Sequence, residues 1–306
     1  MREITIDIGY SFTKVHYEDE SGKDHYVKFN TAIARANKLG IDFGSENVYE
    51  YKGERYYCGK EALGDHCISS DGYEFIRDYS PIIIYHILKE FHNVDIPMPI
   101  TVNTGLSLKD WKHKDEFIEV ISEFTVNDTS IKLDVSLTPQ GDAVYWDWVE
   151  NQNNGKHPHK VAVIDIGHNT VNFLYYTNGE AVKRYCKSYP SQGLTSITKP
   201  FKDSMEAKYG LNFSEQELLH DFAHETFTYQ GKEVKEVIDE IIALKEGYMR
   251  DLPKVILQEN SKLLSFADKV VMGGGGMYLF EDVDFPPNTV IISKPYEFSN
   301  VRGYRL

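Results

Sequence analysis

The chain has 306 residues, 41% hydrophobic and 26% charged, which sets a prior of two globular domains with a sizeable core. Its 33 basic against 47 acidic side chains give a net charge of −14, which argues against non-specific binding to nucleic acid or an anionic membrane, leaves room for a basic protein partner and favours solubility. Three cysteines (Cys58, Cys67, Cys186) without a C-x-x-C spacing suit a reducing compartment; with no signal-peptide pattern and no apolar run of membrane-span length, a cytoplasmic location is expected.

Residues 3–8 alternate and are β-branched, so a strand is predicted, entering a turn at Gly9; 13–17 and 26–29 read as the next two strands. Lys52-Gly53 between 48–51 and 54–57 signals a hairpin. Apolar spacing predicts a helix over 79–92, ending near Asn93, and Pro97 and Pro99 lead a strand at 100–103. A helix is expected over 110–124, a hairpin over 126–137 around Asn127-Asp128, and a helix over 143–149. The polar stretch 150–160, with Gly155 and Pro158, is the predicted domain boundary. Strands follow at 161–166, 171–176 and near 181–185, then helices at 194–209, 214–223 and 234–264, the last predicted to divide near Gly247 and Pro253. A strand at 270–272 runs into four glycines, 289–293 reads as a strand, and 299–306 as a turn. The domains are placed at 1–155 and 156–298, with the tail 299–306 returning to the first.

One echo runs across this pattern. Ile6-Asp7-Ile8-Gly9 recurs half a chain later as Ile164-Asp165-Ile166-Gly167. Each copy ends a hydrophobic strand and is followed by a threonine (Thr13, Thr170) and a second strand. A single Asp-x-Gly is a common hairpin turn; two copies, one opening each half, suggest a clamp. Glycine lets backbone N–H groups gather around an anion, and turn hydroxyls add donors. The aspartates would repel phosphate but suit Mg²⁺, which bridges phosphate oxygens. Lys14, on the strand leaving the first turn, supplies a point charge. Gly273–Gly276 after a strand permit close approach to a flat or anionic group. The glycines match neither G-x-x-x-x-G-K-[ST] nor a dinucleotide G-x-G-x-x-G after the first strand.

These segments resemble, in order and spacing, the actin-like ATPase superfamily, and within it the plasmid-segregation actins of ParM type and their archaeal and phage relatives. Asp7-Ile-Gly-Tyr-Ser-Phe-Thr-Lys14 is similar to the first phosphate motif, 165–170 to the second, and 270–276 to the adenosine motif; Thr104-Gly-Leu106, the stretch 137–143 and the tail 300–304 resemble further family segments. The resemblance implies a two-domain α/β fold of duplicated ribonuclease H-like halves, with a nucleotide in the interdomain cleft. It implies that Asp7 and Asp165 orient Mg²⁺. Gly9, Tyr10, Ser11, Thr13 and Lys14, together with Gly167, His168, Asn169 and Thr170, would contact the nucleotide phosphates. Gln140 would orient the attacking water, Gly193 would lie near the ribose and base, and Gly273, Gly274, Gly275, Gly276 and Met277 would lie against adenosine. Gln140 and Asp165 are the catalytic candidates. The chain departs from the family at Tyr10, His168 and Asn169, which replace smaller residues, and at Asn172, where many relatives have a second aspartate.

The expected function is an ATP-hydrolysing filament protein, with GTP an alternative nucleotide, a DNA-binding adaptor as partner and a role in DNA segregation. Two alternatives stand beside it: a small-molecule kinase with Asp142 as substrate base, and a nucleotide-gated binding protein. His157 with His159, and His220 with His224, lack the companions of a metal site; Trp146 and Trp148 read as packing residues.

Overall fold

The computed structural model describes residues 3–36, 48–63, 67–70, 72–92 and 100–306; the predicted helix end near Asn93 and the prolines at 97 and 99 lie outside them. The chain divides into two units, Met1–Ala143 with Asn300–Leu306, and Val144–Ser299.

The first unit is built on β1 (Glu3–Ile8), β2 (Phe12–Glu18), β3 (Asp24–Asn30), β4 (Ile33–Arg35), β5 (Val48–Tyr51) and β6 (Glu54–Cys58), then helix α1 (Tyr73–His92) and strand β7 (Ile100–Leu106). Helix α2 (Lys114–Ser122), strands β8 (Glu123–Val126) and β9 (Thr129–Pro139), and helix α3 (Asp142–Gln152) follow, the dividing point lying inside α3. The main sheet has the order β3-β2-β1-β7-β9-β8, with β1 parallel to β7 and β7 to β9. A central strand is covered on both faces, which is why β1 is buried from Ile4 through Ile8 and not only at alternate positions. Ile82, Ile83, Ile84, Ile87 and Leu88 of α1 pack in the same core as Ile4, Ile6 and Val102. A small sheet, β4-β6-β5, completes the unit.

The second unit repeats the scheme. It runs β10 (Lys160–Ile166), β11 (Thr170–Thr177), β12 (Glu180–Ala181), β13 (Lys187–Pro190), α4 (Thr195–Tyr209), α5 (Glu215–His224), β14 (Thr228–Tyr229) and β15 (Lys232–Glu233). It ends with α6 (Lys235–Ser265), β16 (Lys269–Gly273), β17 (Thr289–Ile291) and the short α7 (Ser299–Tyr304), which passes into the first unit. The order β12-β11-β10-β16-β17 again sets an antiparallel hairpin beside parallel strands, with β13 on the outer edge of β11. Both halves are therefore α/β and share a core of an antiparallel hairpin beside two parallel strands. Among the described residues no helix is long and apolar enough to cross a membrane.

Four sequence expectations are corrected. Helix α6 runs unbroken through Gly247 and Pro253, because Val237, Ile241, Lys245, Tyr248, Leu252, Ile256 and Asn260 form one buried stripe whose packing outweighs the lost hydrogen bond. The segment 110–124 holds a helical turn at Trp111–His113 and only nine residues of helix; Glu123 already opens β8, whose Phe124 and Val126 alternate inward. Strand β12 stops at Ala181, and Lys183–Tyr185 is a helical turn before β13. The tail is helical: α7 offers its Asn300 Oδ1 to the Gly141 N–H at 3.0 Å and seats Tyr304 against Gly105, where a side chain has no room. Trp148 is buried, as a packing residue should be, and Trp146 half-buried.

Candidate functional site

The hairpin of β1 and β2 places Lys14 directly opposite Asp7. Asp7 is 3% exposed, and a carboxylate so deep needs partners. Lys14 Nζ lies 3.2 Å from its Oδ2, and Gln140 Nε2 donates to its Oδ1 at 3.0 Å. Gln140 is delivered by the sheet: β9 runs parallel to β7 as far as Pro139, and the Gln140 N–H then donates to the Leu106 carbonyl at 2.8 Å. The turn itself is fastened to the end of β3. The Thr31 N–H donates to the Ser11 carbonyl at 2.9 Å, and the Thr13 and Thr31 hydroxyls pair at 2.9 Å. Tyr10 leaves the turn and donates its hydroxyl to Asp110 Oδ2 at 3.1 Å, while Lys109 Nζ stands 5.9 Å from its ring centre.

The hairpin of β10 and β11 puts Asn172, not a lysine, opposite Asp165, with Nδ2 donating to Oδ2 at 3.3 Å. Here the turn is stitched by backbone. Gly167 N–H donates to the Thr170 carbonyl at 2.9 Å, and the carbonyls of Gly167, His168 and Asn169 accept from Leu194, Thr195 and Gly193 at 3.3, 2.8 and 3.4 Å. Gly193 is required there: a Cβ would collide with the carbonyls of Gly167 and His168. His168 Nε2 lies 2.8 Å from Glu215 Oε1, and the Thr198 hydroxyl donates to the same oxygen. Burial pushes the Glu215 carboxyl up, but the hydrogen bonds from His168 and Thr198, with the charge nearby, outweigh it and hold the group below the ordinary glutamate range.

The third glycine segment joins this turn. Gly273, the last residue of β16, pairs with Asp165. Gly274 has φ +86°, and a Cβ on it would stand 2.5 Å from Asp165 Oδ1, so both its conformation and the space demand glycine. A helical turn, Gly275–Phe280, follows, with Met277 fully buried.

Within the first unit the structure thus gathers Asp7, residues 9–14 and Gln140; within the second it gathers Asp165, residues 167–170, Gly193 and 273–277. Each unit, taken by itself, presents a buried carboxylate ahead of a glycine turn, Asp7 in the first and Asp165 in the second, a donor type that suits magnesium, although Asp7 already accepts from Lys14 and Gln140. Sequence reasoning missed Thr31, Asp110, Thr198 and Glu215, which lie outside the motifs and meet them only through the fold. The His220 and His224 rings lie 4.2 Å apart on α5, tilted by 38°, and among the described residues no group of three metal-ligating side chains forms.

Two family models match. Residues 5–141 match the N-terminal domain of actin-like proteins, and residues 163–283 match the C-terminal domain of the archaeal MreB-like actin homologues. No curated protein sequence matches. Among solved structures, the archaeal actin homolog Ta0583 superimposes with a TM-score of 0.76 at 19% identity, covering 100% of this chain and 98% of that one. A 15-stranded ParM filament from Clostridium botulinum gives 0.75 at 18% identity, covering 99% and 98%. ParM from Bacillus thuringiensis with ATP gives 0.68 at 14% identity, covering 99% and 97%. With both halves matched by actin-type domains in the expected order, and with a duplicated Asp-Gly hairpin in each, the chain belongs to the actin-like proteins.

Proposed function

We propose that this actin-like chain is a nucleotide-driven filament protein that binds Mg-ATP through its two Asp-Gly hairpins, assembles head to tail and hydrolyses ATP slowly. The observation that carries the reading is the repeated hairpin: a buried aspartate at the same register position in each half, beside a turn whose backbone is locked by its own unit. Structural neighbours solved as a filament, with ADP and with ATP support it.

On this reading Lys14 and the turn amides at 9–13 and 167–170 bind phosphate oxygens, and Gly193 and 273–277 lie along the nucleoside. Asp7 and Asp165 would hold Mg²⁺, directly or through water, and the metal would offset charge on the terminal phosphates. Gln140, anchored on Asp7, orients the attacking water through its amide. An amide is no strong base, so hydrolysis rests on positioning and electrostatics and is slow. GTP fits the same phosphate chemistry. Assembly would use a heterologous contact that does not close into a ring. The charge of −14 suits a basic DNA-binding adaptor better than DNA itself, and a cytoplasmic role in DNA segregation goes with that partner.

Light scattering and phosphate release, followed together after adding Mg-ATP across a protein titration, test the proposal. Scattering should rise above a critical concentration and phosphate release should trail it. A flat trace with either nucleotide, alone and with a basic partner, would sink the filament claim. Turnover that appears only when a sugar or carboxylate is added would point to a kinase instead.

A further inference from the structure

The residue after the turn glycine is oversized in both hairpins, and both are handled alike. Tyr10 follows Gly9, and His168 follows Gly167. Each reaches a carboxylate far along the chain, Asp110 for Tyr10 and Glu215 for His168. Each carboxylate uses one oxygen for two donors. Asp110 Oδ2 accepts from Tyr10 at 3.1 Å and from the Ser107 hydroxyl at 2.7 Å. Glu215 Oε1 takes His168 and the Thr198 hydroxyl. Asp110 is 5% exposed, and the Glu215 side chain is 21% exposed, so neither is a solvated surface group. Both stand at the entrance of a helical segment: Asp110 immediately precedes the Trp111–His113 turn that leads into α2, and Glu215 is the first residue of α5.

Keeping a carboxylate away from water costs free energy unless its donors are well placed. Two such groups, unrelated in sequence, converge on the same position of two turns. Packing alone would be met by an apolar side chain. A carboxylate with paired donors instead fixes direction, and here it fixes where the residue after the turn glycine can go. With that residue held, the backbone N–H groups of the turn are ordered before any anion arrives, so the ordering cost falls on folding and not on binding.

We propose that Asp110 and Glu215 are positioning residues for the two phosphate turns, each acting through the large residue of its turn and tying that turn to the helix that follows. The inference rests on the nucleotide-binding reading. It predicts that the anchors matter to ligands with phosphates and not to adenosine, which never meets the turns.

The test uses the full chain and measures affinity for Mg-ATP and for adenosine by calorimetry, with melting curves taken without ligand. Glu215→Gln and His168→Ala should each weaken Mg-ATP binding about tenfold, the scale of one charge-assisted hydrogen bond, and leave adenosine unchanged. The double variant should be no worse than either single one. His168→Gln, which restores a donor of similar reach, should recover most of the loss. Tyr10→Phe and Asp110→Asn form an independent arm in the other unit, with the same expected pattern. Losses that multiply in the double variants, losses equal for adenosine, or unchanged Mg-ATP affinity overturn the proposal. If the wild-type chain binds no nucleotide at all, the nucleotide reading has failed instead, and the two failures are told apart by that one control.

Discussion

The two hairpins follow one plan until the position across from the aspartate. In the first unit that position is Lys14, and the Asp7 carboxylate is closed by an ammonium on one oxygen and the Gln140 amide on the other. In the second it is Asn172, whose amide donates to Asp165 without cancelling its charge. One aspartate is thus paired with a cation, the other with a neutral amide. On the proposed nucleotide reading the duplicated frames therefore differ in one respect: only the first brings a cation, Lys14, to the phosphate beside its aspartate.

The comparison can be broken by exchanging the two residues. Asn172→Lys copies the first ion pair into the second hairpin and sets an ammonium where a divalent cation is wanted. Magnesium-dependent ATP turnover should fall by about 100-fold, the scale of losing one strong electrostatic contact in a site. Turnover that stays within a few-fold would show that Asp165 has no metal role. The reverse exchange, Lys14→Asn, leaves Asp7 with amide donors only. ATP affinity should drop about tenfold and urea stability by about 1–3 kcal/mol, since a buried carboxylate loses its counter-charge. Equal affinity would place the phosphate away from the first turn.

The smallest expected effect lies away from both hairpins and serves as their control. His86 is buried on α1 with Nδ1 paired to the Tyr49 hydroxyl at 2.7 Å, and burial pushes its imidazole from 6.5 down to about 4. A base whose folded pKa is depressed binds its proton in the unfolded chain first, so it erodes stability as pH falls from 6.5 to about 4. His86→Gln should flatten the decline of the urea midpoint over that window while leaving nucleotide affinity untouched. An unchanged acid profile would mean that the imidazole keeps access to water.

Much of this was legible because it is local. Strand β1, the turn after it, the second Asp-Ile-Gly and the strand into Gly273 are each written in a few consecutive residues, and the period-2 pattern marks their neighbours. Gln140 was singled out only through family resemblance, and its hydrogen bond to Asp7 was not foreseen, since nothing in residues 137–143 points to a partner so distant in sequence. Asp110 and Glu215 gave no signal, because an aspartate ahead of a helix and a glutamate in a helix's first turn also read as ordinary capping residues. The continuity of α6 was misread for a related reason: Pro253 speaks locally, and the buried stripe that overrules it depends on what the helix packs against. The same holds for the tail, whose helix α7 makes its contacts with Gly141 and Gly105, far away in sequence.

That tail has a consequence for how the molecule is made. The unit Val144–Ser299 is one unbroken stretch of chain, whereas the other unit is completed only by Asn300–Leu306. Until then the Gly141 amide and the seat beside Gly105 lack their native occupants, and the half synthesised first is the half finished second. A late stretch of chain therefore completes the half that is made first.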